Sequence, residues 1–129
     1  MYKRQDLNCA ETILYAANEK YGWNLSHDAL LFSAGFGGGV GGQELLCGAL
    51  TGGVMALGRL FVRARGHESD LNQRIIKEYF ALFEKEMGSI DCAPLKETYR
   101  KEETGCQEVI LASARALDQI IKKYLQEII

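Results

Sequence analysis

The stretch LLCGALTGGVMALGRLFVRA, residues 45–64, decides how this chain folds. Cys47, Leu50, Val54, Leu57 and Phe61 recur at alternating steps of three and four, the spacing of one helix face. Between them stand Gly48, Ala49, Gly52, Gly53 and Ala56, all small. A helix that is apolar nearly all round belongs in an interior, and small residues let its neighbours come close. The spacing therefore predicts a central helix over 45–64. Its most apolar part is shorter than the roughly 18–20 residues of a membrane span, and Arg59 ends it, so no membrane role is expected.

Working outward, GFGGGVGG at 35–42 forbids regular structure, because glycine is the costliest helix residue after proline. Before it, Ala10, Ile13, Leu14, Ala17 and Tyr21 mark a helix over 8–20 that Gly22 closes, and a short helix covers 29–34. After the central helix, Ser69 caps a helix over 70–87 that buries Ile76, Tyr79, Phe80 and Phe83. A short helix is expected over 94–101. A last one runs from Cys106 to the end, with Ile110, Ser113, Leu117, Ile120, Tyr124 and Ile128 on one face. The fold expected is all-α: one domain over 1–129, a compact bundle of about five helices with a glycine-rich loop before the central one.

Composition narrows the function. Lys+Arg 15 against Asp+Glu 17 leaves a net charge of −2, and the densest basic patch is only Arg59, Arg63 and Arg65. Nucleic acid is therefore not an expected partner. Residues 1–6 are polar and carry no secretory pattern, which points to the reducing cytoplasm. In that compartment four cysteines read as metal-binding or catalytic rather than as permanent disulfides. The alternative is four small buried hydrophobes.

The cysteines all fall at helix starts. Asn8-Cys9-Ala10-Glu11 and Thr104-Gly105-Cys106-Gln107 have the form of capping boxes, Cys47 opens the apolar stripe, and Cys92 just precedes Pro94. Unpaired amides and the positive dipole end favour a thiolate there, and thiolate is both nucleophile and metal ligand. Short connections make successive helices antiparallel, so the first, central and last helices begin at one end, together with the loop bearing Cys92. Positions 38, 45 and 14 apart can thus converge on one site.

At Cys47-Gly48-Ala49-Leu50-Thr51-Gly52 the chain resembles the C_GCAxxG_C_C family of redox-active proteins. The NCAE start, the GFGGG run, Met87-Gly88-Ser89 before Cys92 and the cysteine opening the last helix belong to the same pattern. The resemblance implies a redox protein that works with an electron-transfer or oxidoreductase partner. A similar domain occurs in split-Soret cytochromes, which carry iron–sulfur and haem centres. Without Cys-x-x-Cys-His, covalent haem is not expected here, while four cysteines suit an iron–sulfur cluster.

The leading reading is an electron-transfer protein with Cys9, Cys47, Cys92 and Cys106 as ligands of an iron–sulfur cluster or other soft metal. The second is a thiol–disulfide or peroxide-reducing enzyme with Cys47 as nucleophile. The third is a helical dimerisation module without chemistry. The glycine run lacks the strand and the Lys-Ser/Thr pair of phosphate-binding loops. It reads instead as a tight passage over the cysteine end, where Gly37, Gly38 and Gly39 offer amides to sulfur or cofactor and Phe36 packs inward. His27 and His67 read as surface or capping residues, and Glu44 as an acid/base group or a first-turn charge. The apolar central helix and the tail Leu125, Ile128 and Ile129 suggest a homodimer.

Overall fold

The computed structural model describes residues 7–128. Six α-helices account for the regular structure among them: α1 (Cys9–Tyr21), α2 (His27–Leu31), α3 (Gly48–Phe61), α4 (Leu71–Met87), α5 (Cys92–Tyr99) and α6 (Gln107–Ile128). A single 3-10 turn, Ala34–Phe36, follows α2. The all-α expectation holds, and the sole β pairing among the described residues is two isolated bridges, Leu46 with Asp91 and Lys101 with Gly105.

Local chemistry sets the helix ends. Asn8 closes a complete capping box on α1: its side chain accepts from the Glu11 amide, and the Glu11 carboxylate accepts from the Asn8 amide, each at 2.9 Å. Gly22, at φ 63°, ends α1 in the left-handed conformation glycine adopts without strain. Three helix limits differ from the sequence expectation. The second helix stops at Leu31 and passes into the 3-10 turn. The central helix spans Gly48–Phe61 rather than 45–64, because its two ends are held in other bonds. Upstream, residues 45–47 run antiparallel to 90–92, bridged at Leu46 and Asp91; downstream, the Glu68 carboxylate accepts the amides of Arg63, Ala64 and Arg65. The short fifth helix begins at Cys92, with Pro94 in its first turn, where a missing N–H costs nothing.

Helix α3 packs against α1, α4 and α6 and is the centre of one hydrophobic core. Leu50, Leu57, Ile13, Ile75, Phe83 and Ile121 are all but fully buried in it. The buried face of α4 is carried by Ile75, Tyr79 and Phe83; Ile76 and Phe80 are only half-buried at its edge. Against α1 backbone meets backbone: a Cβ at Gly52 would fall 2.5 Å from the Ala10 carbonyl oxygen. The single chain thus covers most of α3 itself. Leu125 packs half-buried on the same core, while the side chain of Ile128 and all of Ile129 lie outside the described residues. No described helix is long and apolar enough to cross a membrane.

Candidate functional site

Each cysteine stands at the head of a helix. Cys9 is the first residue of α1, behind the Asn8 box. Cys47 is the N-cap of α3. Cys92 is the first residue of α5. Cys106 immediately precedes α6, and its carbonyl accepts the Ile110 amide at 3.0 Å. A tight reversal, in which Lys101 and Gly105 exchange backbone hydrogen bonds of 3.0 and 2.7 Å, delivers Cys106. Four helix N-termini therefore present their unpaired amides and positive dipole ends beside sulfur.

A short antiparallel pairing fixes two of the four relative to each other. The Cys47 amide donates to Ile90 O at 2.9 Å, and the Cys92 amide to Leu45 O at 2.6 Å. Leu46 and Asp91 form the bridge between these bonds. Cys92 stands opposite Leu45, two residues from Cys47, so both cysteines project from the same face of the pairing.

The glycine run brings the remaining pieces together. From Gly38 to Gly42 every φ is positive, between 62° and 76°, and Val40 is the one non-glycine in that stretch. Five consecutive left-handed residues explain why the chain needs glycine here. The amides of Val40 through Leu45 all donate to carbonyls within the loop. Those of Gly38 and Gly39 donate to no backbone carbonyl among the described residues. The loop lies tight against the cysteines. A Cβ at Gly39 would fall 2.8 Å from the Cys92 Cβ, and one at Gly37 would fall 2.3 Å from the Asn8 Cγ. On the facing helix, a Cβ at Gly48 would fall 2.9 Å from both the Cys9 sulfur and the Phe36 carbonyl oxygen. Asn8 adds a clamp, donating from Nδ2 to Ala34 O at 2.8 Å.

The sulfurs feel one another. Burial pushes the Cys47 thiol up to about 12; the Leu50 and Ala49 amides work against this, and charge on Cys9 or Cys92 adds to it. The Cys92 thiol is raised by burial and then by charge on Cys9 and Cys106, with Lys96 opposing. None of the four cysteines is joined in a disulfide; Cys47 is buried and the others are half-buried. Among the described residues, no three His, Cys, Asp or Glu side chains are grouped so as to hold a metal ion.

Of the other sequence candidates, Glu44 and Phe36 border this pole. Glu44 is exposed and paired with Lys96 at 3.1 Å, which makes it a surface charge beside Cys92. His27 and His67 are exposed. Phe36 is half-buried, and its carbonyl, rather than its ring alone, meets α3. Two features were not anticipated: the 45–47 and 90–92 pairing, and a buried contact of Tyr79 and Ser113 with the Ala49 carbonyl. Ser113 in the middle of the apolar face of α6 was the visible signal for the second.

Residues 7–120 match the family described as "Putative redox-active protein (C_GCAxxG_C_C)". The chain belongs to the C_GCAxxG_C_C family. No curated protein and no solved structure matches it. The structure gives the spacing of the C_GCAxxG_C_C core a physical meaning. Cys47 heads α3, Gly48 makes room for the Cys9 sulfur, and Gly52, one helical turn on, makes room for the backbone of α1. The two glycines thus seat α1, with its cysteine, against α3.

Proposed function

We propose that this redox-active protein transfers electrons through an iron–sulfur cluster held by Cys9, Cys47, Cys92 and Cys106, exchanging them with an oxidoreductase partner. The observation that carries the reading is four cysteines at four helix N-termini, drawn to one pole by glycines that no larger residue could replace. The donor set fits the group. Four soft thiolates suit iron–sulfur chemistry, and helix ends together with the Gly38 and Gly39 amides supply donors to charged sulfur. Cys9, Cys47, Cys92 and Cys106 would be the residues that hold such a cluster. Such a group, when bound, supplies one-electron chemistry. The protein's own part is to hold the thiolates, exclude water around Cys47 and offset negative charge with amides.

A second reading has one observation in its favour: four cysteines at one pole and in no disulfide, two of them on paired segments. There, two thiols would lose two electrons and two protons as an S–S bond forms, reducing a disulfide or peroxide. The burial of Cys47 holds it protonated at neutral pH, so it is a poor attacking thiol.

Iron and acid-labile sulfide in anaerobically purified wild type and Cys47→Ser separate the two. The cluster reading expects both elements in wild type and their loss from the variant, with helicity by circular dichroism unchanged. Wild type without iron, but with a reversible disulfide, would overturn it in favour of thiol chemistry.

A further inference from the structure

The core holds two hydroxyl groups where helix packing alone needs none. Tyr79 and Ser113 are fully buried, and their oxygens lie 2.6 Å apart. Ser113 reaches the Ala49 carbonyl oxygen at 2.9 Å and Tyr79 reaches it at 3.3 Å. With Ser113 donating to the carbonyl and Tyr79 donating to Ser113, both protons serve the two shortest contacts. Three helices contribute. α4 brings the phenol, α6 brings the serine, and α3 forgoes a side chain, since a Cβ at Gly53 would fall 2.1 Å from the Tyr79 oxygen. A buried hydrogen bond adds little net stability over a well-packed apolar pair, so an apolar filling would serve packing as well.

The acceptor is what gives the arrangement meaning. The Ala49 carbonyl and the Leu50 N–H are two ends of one peptide group. Leu50 is three residues beyond the N-cap Cys47, the position whose amide faces an N-cap side chain. The Leu50 amide donates to the Cys47 carbonyl oxygen at 3.1 Å, and the sulfur makes no cap hydrogen bond of its own. A peptide that accepts at its carbonyl donates more strongly from its N–H, by about 10–30% per bond.

We infer that Tyr79 and Ser113 are positioning residues for the cysteine pole, polarising the Ala49–Leu50 peptide and so strengthening the N–H that stands three residues into the helix Cys47 caps. The effect on redox chemistry rests on the cluster reading; the polarisation itself does not. Hydrogen bonds to ligand sulfur set cluster potentials, and donors favour the more negative, reduced state. Removing the hydroxyls should therefore lower the potential.

Two measurements on Tyr79→Phe and Ser113→Ala test this, with Phe83→Leu as a control that disturbs the same core without touching the hydroxyls. In the reduced, metal-free protein, the NMR shift of the Leu50 amide proton should move upfield in both hydroxyl variants and stay in place in the control. In protein loaded with iron and sulfide, the midpoint potential should become more negative in both hydroxyl variants and stay unchanged in the control. A Leu50 proton that does not move, or that moves equally in Phe83→Leu, overturns the inference. So does a moved proton with an unmoved potential. If wild type takes up no iron and sulfide, the cluster reading fails, and the amide shift alone decides the polarisation.

Discussion

Gly48 and Gly58 lie in one helix and ask opposite things of a methyl group. At Gly48 a Cβ would fall 2.9 Å from the Cys9 sulfur, while at Gly58 nothing lies within 4 Å. Gly48→Ala should destabilise by about 1–3 kcal/mol as α1 is pushed away, and should also lower iron retention. Gly58→Ala should instead stabilise by about 0.5–1 kcal/mol through helix propensity. Urea denaturation of the metal-free protein reads both. Cys47 makes a pH prediction at the same scale. Its folded value, about 12, lies above its ordinary 9.0, so its contribution to stability is whole below 9.0. It is lost as pH rises from there toward 12. Metal-free wild type should weaken across the lower part of that window, and Cys47→Ser should weaken less.

At the scale of elements, periodicity located the helices because burial of one face repeats along each of them. On α4 it found Tyr79 and Phe83 but took Ile76 for the buried isoleucine in place of Ile75, since the pattern alone does not distinguish the two. It ran α3 too far at both ends. The segment before Cys47 is apolar enough for helix, yet it stays out of the helix because residues 90–92, distant in sequence, supply its hydrogen bonds. Nothing periodic marks a pairing that short. Beyond Phe61, one side chain, Glu68, ends the helix by gathering three amides. Those amides hold its carboxyl below the usual carboxylate range. Its contribution is therefore present above that range and lost as pH falls through it toward the lower folded value. Glu68→Gln should remove this part of the acid sensitivity, which thermal melts of both proteins between neutral and mildly acidic pH would show. An unchanged difference between them across that range would deny Glu68 the role.

For the whole molecule, the convergence of four cysteines was legible because each carried a helix-start signal and short connections alternate helix direction. What joins them was not. The left-handed course of Gly38 to Gly42, the fit of Gly48 to the Cys9 sulfur and the hydroxyls behind Ala49 are tertiary facts that no local pattern encodes. With the Leu46–Asp91 bridge, the loop and Gly48 bring Cys9, Cys47 and Cys92 to one pole of the bundle. Iron-edge X-ray absorption of the anaerobically purified protein asks whether this pole closes on a single iron–sulfur centre. A first shell of sulfur alone and a short iron–iron scattering path are expected. A shell of oxygen and nitrogen, iron without an iron neighbour, or no iron at all would overturn the proposal.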